Sequence, residues 1–221
     1  MARKARSFAQ INADIGSHVP MDELIDLFAE GDELICNTSF DELELERDRA
    51  NQATFDRVVF RNCVFDSVDF SGCTFRDVLF YGCRFIRCTM EGGWLNRCDL
   101  KDCSAPGLNL MRSRLSGVSI VSMDLSYANL SEASLGQIVA TASKLNEVAL
   151  QRSKLRNLVL DDCELVRLDL FGTSLAGVDV SRCRFEAPVL SVDHHELRGC
   201  TVNIEQALAL SGLLGIKISE D

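Results

Sequence analysis

The sequence predicts an all-β fold in which the chain turns a corner after every five residues. From Phe40 to Leu190, every residue whose number is divisible by five is apolar, and most of these residues are Leu or Phe. A helix would scatter them around its axis, because five residues rotate it by about 500°. A flat strand would place them on alternate faces, because five is an odd number. Short straight sides joined by corners let all of them point inward.

A second set of residues supports this geometry. The residue two places before each core position shares its direction, because side chains alternate along a strand. This residue is small or medium-sized and mostly apolar, as in Cys63, Val68 and Cys73. Eight of the ten cysteines occupy such positions, and the exceptions are Cys36 and Cys200. We expect these thiols to pack as small apolar groups inside the fold.

The pentapeptide at 128–132 reads Ala-Asn-Leu-Ser-Glu and nearly matches A(D/N)LXX, the consensus of the pentapeptide-repeat proteins. The sequence resembles that family over about 38–190. The resemblance implies a right-handed quadrilateral parallel β-helix, with four pentapeptides to a coil and about eight coils. Because neighbouring strands lie about 4.8 Å apart, the rod would be about 37 Å long.

Both ends of such a rod need a cap, because open coils expose apolar side chains and unpaired backbone groups. Residues 20–31 read as a helix that begins at Pro20 and ends at Gly31. Four residues form an apolar stripe at helical spacing: Met21, Leu24, Ile25 and Phe28. We interpret this helix as a cap on the first coil, the alternative being a separate partner-binding helix. Residues 1–34 are then a tail and capping helix, and 35–196 the β-helix.

Residues 197–221 leave the pattern and are predicted to form a C-terminal cap and dimerisation helix. Asn203 and Gln206 have the spacing of a capping box, which predicts a helix over 204–211, and 216–218 reads as a short strand. This ending resembles the tails of quinolone-resistance-type pentapeptide proteins, which form two-fold dimers through this segment. The resemblance implies a homodimer. Its interface would contain Leu208, Leu210, Leu213, Leu214, Ile216 and Ile218.

Catalysis is not predicted, and we expect no enzyme activity, cofactor or metal site. The cysteines recur at intervals of five and lack the CxxC spacing of zinc sites. The sequence DHHE at 193–196 is the one cluster that looks catalytic, but it lacks the HExxH spacing. We interpret it as a polar loop that leads into the C-terminal cap. An interior filled by Phe and Leu leaves no concave site for a substrate.

The 221-residue chain has a formal net charge of −10. Its acidity argues against direct binding of nucleic acid and favours a protein partner. No apolar run is long enough to span a bilayer, and the N-terminus lacks the apolar region of a signal peptide. We therefore expect a cytoplasmic protein without a membrane association, in which the cysteines stay reduced.

The charge is uneven around the predicted rod. The side that contains Phe40, Phe60 and Phe80 has a formal net charge of −4, because three basic residues (Arg61, Lys101 and Arg182) are outnumbered by acidic ones. We call the acidic residues of this side the acidic face and predict that they bind the partner. They are Asp41, Glu42, Asp99, Asp102, Asp161, Asp162 and Asp179.

Some pentapeptide-repeat proteins, the Qnr-like and MfpA-like branch, resemble B-DNA and bind type II topoisomerases in its place. Two segments resemble that branch: DLSYANLS at 124–131 and CSAPGLNL at 103–110. The resemblance implies binding to DNA gyrase or topoisomerase IV, and quinolone resistance or protection. The uninterrupted register lacks the loop insertions that contribute to protection in the Qnr proteins. The sequence therefore leaves open whether the protein inhibits the topoisomerase or protects it from quinolones.

Charge density limits the mimicry. Duplex DNA carries one charge per about 1.7 Å, much more than this rod, so a DNA mimic of this kind would depend on its shape and on one face. The alternative is a scaffold of the same fold that binds a different protein partner without mimicking DNA.

Overall fold

Parallel strands stack on one another, coil upon coil, along most of the chain. The structure, a computed structural model, describes residues 6–31, 33–50, 52–217 and 219. Leu34 pairs with Thr54, Thr54 with Thr74, and Thr74 with Trp94. Four pentapeptides therefore complete each coil, and the expected four-sided parallel β-helix of about eight coils is confirmed.

The named strands of the described residues form three sheets. The strands of the largest are β1 (Leu34–Asp41), β3 (Thr54–Arg61), β5 (Thr74–Arg76), β6 (Leu79–Tyr81), β8 (Trp94–Lys101), β9 (Arg114–Val121), β10 (Ser134–Thr141) and β11 (Lys154–Asp161). Their order is β1-β3-β5-β8-β9-β10-β11, and β6 pairs with β3 and β8. The second sheet contains β2 (Glu44–Glu46), β4 (Val64–Asp66) and β7 (Arg84–Ile86), and the third contains β12 (Glu164–Val166) and β13 (Arg184–Glu186). Isolated bridges such as Asp69 to Thr89 continue the pairing on the remaining side.

The corners of the coil lie two residues after core positions and have left-handed backbone. Asn37, Arg57, Arg97 and Asn157 have φ angles of 52°, 55°, 54° and 53°. Residues other than glycine pay a steric cost in this region. Hydrogen bonds between coils offset that cost, as where the corner amide of Asp102 donates to the Val121 carbonyl at 3.0 Å. The corner therefore tolerates long polar side chains.

Phenylalanine rings stack along the axis in the first coils. The rings of Phe55 and Phe75 are parallel, with centroids 4.9 Å apart, and those of Phe60 and Phe80 lie 5.0 Å apart. Around one coil the rings meet edge to face, as for Phe65 with its neighbours Phe60 and Phe70. Offset-stacked and edge-to-face pairs are favourable arrangements of aromatic rings. These coils are thus filled by ring contacts in both directions.

The cysteines at the second inward position are free thiols in the core, and this predicted packing is confirmed. Each of four thiols donates to a carbonyl 23 residues earlier, in the preceding coil: Cys63, Cys83, Cys88 and Cys98. Burial raises the pKa of Cys73 and of Cys98 to about 12, so both remain protonated at neutral pH. The thiols therefore act as small, weakly hydrogen-bonding core groups.

The later coils are filled mainly by leucine and pack less completely. They enclose an apolar cavity of about 60 Å³ whose lining includes Leu125, Leu145, Leu165 and Val180. The cavity lies in the part of the chain where leucine has replaced the stacked rings. Packing contacts are therefore fewer there than in the phenylalanine-filled coils.

Helix α1 (Met21–Glu30) covers the first coil, as predicted. Leu24 and Phe28 belong to the core, and the Phe28 ring contacts Phe55 edge to face at 6.1 Å. The predicted stripe is wrong at Ile25, which is exposed, because Leu27 packs against the core in its place. The Met21 side chain lies outside the described residues. The interpretation of this helix as a cap is confirmed.

Helix α2 (Ile204–Ser211) closes the other end and begins with the predicted capping box. Asn203 and Gln206 exchange hydrogen bonds of 2.9 Å between side chain and backbone. The Gln206 side-chain amide also donates to the carbonyls of Val180 and Cys183 at the end of the coil. None of the described helices is long and apolar enough to cross a membrane.

The predicted strand at 216–218 is wrong at Ile216 and Lys217, which belong to no strand, and Ile218 lies outside the described residues. Helix α2 and a short 3₁₀ helix (Gly212–Leu214) precede this segment, and the Ile216 amide donates back to the Ser211 carbonyl at 3.2 Å.

Two extra residues enter the coil just before α2. Asp169 pairs with Val189 at the usual interval of 20, whereas Asp179 pairs with Thr201 at an interval of 22. The shifted register turns Cys200 and Val202 toward the core, against which both pack. Cys200 therefore takes an inward position that the unshifted register does not give it, and strand-like pairing continues to Thr201.

Replacing Phe65 by Ala should lower the free energy of unfolding by about 3–5 kcal/mol, because its fully buried ring contacts Phe60, Phe70 and Phe85. Urea unfolding followed by circular dichroism measures the loss. Phe171→Ala is the matched control, because that ring is exposed and should change stability by less than about 0.5 kcal/mol. Equal losses for the two variants would contradict the stacked core.

Candidate partner-binding surface

The acidic face follows one side of the β-helix, along the carboxyl ends of the longer strands. Five of its seven residues are exposed: Asp41, Glu42, Asp102, Asp162 and Asp179. The other two are buried, since Asp99 and Asp161 are 2% and 5% exposed. The structure thus places all seven on one side but makes five of them accessible.

Ion pairs between coils reduce the charge of this surface. Arg61 donates two hydrogen bonds to Asp41, at 3.0 and 3.1 Å. Arg182 Nε lies 3.0 Å from Asp161 Oδ1, in a geometry that falls short of a hydrogen bond. Glu42, Asp102 and Asp162 have no such pair among the described salt bridges. These three exposed corner residues are therefore unpaired charges of the acidic face.

The other sides of the rod carry similar pairs. Arg76 and Asp56 lie 2.6 Å apart, and Arg167 and Glu147 lie 2.9 Å apart. Each pair joins equivalent positions of adjacent coils. Exposed pairs of this kind contribute about 0–1 kcal/mol each. Their main consequence here is that much of the formal negative charge is balanced locally.

The N-terminal residues 6–18, which we call the strap, lie along the same side as the acidic face. The Ser39 amide donates to the Gly16 carbonyl at 3.2 Å, and the His18 amide donates to Thr38 Oγ1 at 2.9 Å. One coil further on, the Arg61 guanidinium donates to the carbonyl of Ala13. The strap therefore runs back over the coils from α1.

Two buried carboxylates hold the first half of the strap. Asp77 Oδ1 accepts from the Gln10 amide at 3.0 Å, and Asp99 Oδ1 accepts from the Phe8 amide at 2.9 Å. The Ser7 hydroxyl donates to the other oxygen of Asp99. Burial would raise the pKa of Asp77, but hydrogen bonds from Arg97 and from the Gln10 amide lower it below its ordinary value. Sequence reasoning missed this contact, because the strap has no periodic pattern.

The predicted dimer residues divide into exposed and packed ones. Leu208, Leu213 and Ile216 are 50%, 42% and 55% exposed. Leu210 packs against the core, because it lies on the face of α2 that turns toward the last coil. The Leu214 side chain and the whole of Ile218 lie outside the described residues. A surface cavity of about 420 Å³ adjoins α2, and Leu210 and Leu213 form part of its lining.

The residues Asp193, His195 and Glu196 come together at the two-residue insertion. Glu196 is fully buried and accepts hydrogen bonds from the Gly172 amide at 2.9 Å and from the Ser191 hydroxyl at 2.8 Å. His195 Nδ1 lies 2.8 Å from Asp193 Oδ1. The carboxylate and imidazole groups lie close enough to hold a metal ion, but their hydrogen bonds show a structural network that holds the inserted loop in place. Sequence reasoning did not identify Glu196 as a buried anchor.

The contact between Asp193 and His195 shifts their two pKa values in opposite directions. Asp193 raises the pKa of His195, while the imidazole lowers that of Asp193. Burial would raise the pKa of Glu196, but the amides of Gly172 and Ser191, with the Ser191 hydroxyl, lower it. Because the pKa of Glu196 is lower in the folded protein than its ordinary value of 4.5, this carboxylate stabilises the fold at pH values above 4.5. The stabilisation is lost as the pH falls through the pKa of the folded state. Because the pKa of His195 is higher in the folded protein than its ordinary value of 6.5, the protonated imidazole stabilises the fold at pH values below 6.5. This stabilisation is lost as the pH rises through the pKa of the folded state.

Comparisons with known proteins agree with this fold. Two family models described as pentapeptide repeats match residues 40–84 and 95–131. No curated protein matches the chain. Among solved structures, a trypsin-treated variant of QnrB1, described as a plasmid-mediated fluoroquinolone resistance protein, is similar at 16% identity with a TM-score of 0.52. That likeness covers 86% of this chain and all of the other, and at this identity it concerns the fold alone.

A second similar structure is HetL, a pentapeptide-repeat protein involved in heterocyst differentiation regulation in the cyanobacterium Nostoc. It is 19% identical, and the match covers 84% of this chain and 94% of HetL with a TM-score of 0.32.

Glu196→Gln should lower the free energy of unfolding by about 1–3 kcal/mol at pH 6, because the amide NH₂ would face donors that now bind a carboxylate oxygen. The loss should shrink as pH falls from 6 toward 3, because the charged form of Glu196 is then progressively lost. Urea titrations at the two pH values measure it. Glu205→Gln, on the exposed side of α2, is the control and should be nearly neutral. A loss that is the same at both pH values would contradict the role given to the charge.

Proposed function

We propose that this chain, a pentapeptide-repeat protein, is a non-enzymatic protein that binds a type II topoisomerase at its DNA-binding surface and alters its response to quinolones. The partner is DNA gyrase or topoisomerase IV. The fold likeness to QnrB1, which is described as a fluoroquinolone resistance protein, supports this choice, as do the two sequence segments that resemble the Qnr-like branch.

The exposed acidic residues of one side carry the proposal. Asp102 and Asp162 are three coils apart, or about 14 Å along the axis at the usual strand spacing. Asp41 and Glu42 lie toward one end of the same side and Asp179 toward the other. A basic surface shaped to hold duplex DNA complements such a row of carboxylates, and complementary charge speeds association and selects the partner.

The packed interior supports a protein partner rather than a substrate. The first coils are filled by stacked rings, and the apolar cavity of the later coils is about 60 Å³, smaller than the sites that usually hold metabolites. The carboxylates of the outer surface are accessible groups that such a partner can recognise.

Purified protein should reduce DNA supercoiling by gyrase, or reduce the effect of ciprofloxacin on it, at micromolar concentration. The assay titrates the protein into supercoiling reactions with and without the drug, and a parallel series uses topoisomerase IV. Unchanged activity and drug sensitivity of both enzymes would remove topoisomerase binding from the account and leave the scaffold alternative.

Reversing two of the unpaired charges, with Asp102→Lys and Asp162→Lys together, should weaken topoisomerase binding at least tenfold, most strongly at low salt. Lysine fits these corners, because Arg152 and Arg167 occupy equivalent corners with φ angles of 52° and 57°. Surface plasmon resonance measures the affinity.

The matched control is Glu44→Lys with Glu46→Lys in β2, which makes the same change in net charge on a neighbouring side. It should change the affinity much less. Equal weakening by both pairs would show that net charge alone, and not the acidic face, determines binding.

We also propose a homodimer through α2 and the residues after it, supported by the exposed side chains of Leu208, Leu213 and Ile216. Leu213→Asp should give a monomer in light scattering, because two-fold symmetry brings two new carboxylates into the same apolar interface. Tyr127→Asp, at an exposed position in the middle of the rod, should leave the dimer intact. A dimer that persists in Leu213→Asp would refute this interface.

A further inference from the structure

A row of outward-facing residues lies under the strap, one from each of five successive coils. Strand pairing aligns Ser39 with Val59, Val59 with Leu79, Leu79 with Asp99, and Asp99 with Ser119. These residues alternate with inward-facing neighbours, so their side chains point away from the core. Ser39, Val59, Asp99 and Ser119 are nevertheless buried, and Val59 is outside the core cluster. The row is therefore the floor of a groove that the strap covers.

The groove binds the backbone of its occupant as well as its side chains. Two amides of the strap, those of Phe8 and Gln10, are two residues apart and bind Asp99 and Asp77 of adjacent coils. Alternate amides of an extended chain point the same way, so the carboxylates select an extended segment. Both carboxylates are more than nine-tenths buried. The hydroxyl of Ser119 is also buried and has no hydrogen-bond partner among the described residues, which leaves a further polar position at the end of the groove.

Gly117 provides a seat for an aromatic ring. A Cβ atom placed on Gly117 would lie 3.3 Å from Phe8 Cδ1, so the ring rests directly over the glycine. The corner itself does not require glycine, because the equivalent corners hold Asn37, Arg57 and Arg97 at similar φ angles. The missing side chain is therefore explained by the space that Phe8 occupies.

We propose that this groove is a peptide-binding site, that the strap is its resident occupant, and that an extended segment of the topoisomerase displaces the strap on binding. The topoisomerase segment that fits this groove has an aromatic residue in the place of Phe8 and backbone amides that can donate to Asp99 and Asp77. A basic residue beside the aromatic one is also favoured, because the strap places the Arg6 guanidinium 4.9 Å from the centre of the Phe8 ring. The identity of the partner rests on the proposed function, whereas the groove and its occupant do not.

Hydrogen–deuterium exchange tests whether the strap is held. The amides of Phe8, Gln10 and His18, which donate to side chains of the coils, should exchange at least tenfold more slowly than in the free peptide. Phe8→Glu should abolish this protection, because it removes the ring and places a carboxylate near Asp99. Ser17→Glu adds the same charge at an exposed strap position and should keep the protection. Unprotected amides in the wild-type protein would overturn the proposal.

Peptide binding tests the groove itself. A fluorescent peptide with the sequence of residues 6–18, RSFAQINADIGSH, should bind the full-length Phe8→Glu protein at least tenfold more tightly than the wild type, in which the strap competes. Adding Gly117→Asn to Phe8→Glu should abolish binding, because asparagine fits the corner but fills the ring seat. Adding Gly177→Asn should not, since a Cβ at that equivalent corner meets no atom within 4 Å. No binding to Phe8→Glu, or equal binding in the two glycine variants, would overturn the proposal.

The topoisomerase provides the last comparison. Phe8→Glu should act on supercoiling at a concentration several times lower than the wild type, because the strap no longer has to be displaced. Equal action of the two proteins would overturn the displacement step. If neither protein affects the enzyme, the proposed function fails, and the peptide measurements alone decide whether the groove exists.

Discussion

Stacking of inward side chains from each coil onto the next is the constraint on which the molecule depends. Each core residue lies above an equivalent residue of the previous coil, as Phe75 lies above Phe55. A residue that left this register would move its side chain out of the stack and break the strand pairing on both sides. The corners follow from the same constraint, since four short sides have to close within four pentapeptides. The coil accepts left-handed backbone at residues other than glycine for that reason.

Because the interior is filled, we propose that recognition takes place on the outside of the rod. Side chains separated by one full coil are neighbours on the surface as well as in the core, so single substitutions build rows along a side. The same register explains the ion pairs between coils, the acidic face, and the groove row from Ser39 to Ser119. One periodic rule therefore produces the packing and the surfaces that a partner can contact.

The sequence predicted the periodic features well, because a repeat is visible in every copy. The core positions, the buried cysteines, the helix α1 and the capping box at Asn203 all follow local rules that one segment contains. The features it missed depend on distant contacts without a pattern. The strap meets Asp99 across 91 residues, and the buried Glu196 compensates for two inserted residues. Burial of Asp99 and Asp161, and the packing of Leu210, likewise depend on neighbours that the repeat does not encode.

Displacement of DNA tests the central claim most directly. Fluorescence anisotropy of a labelled duplex bound to gyrase reports whether the protein and DNA compete for one surface. Added protein should release the duplex and lower the anisotropy to that of free DNA. A complex in which gyrase holds the protein and the duplex together, with anisotropy unchanged at saturating protein, would contradict the claim.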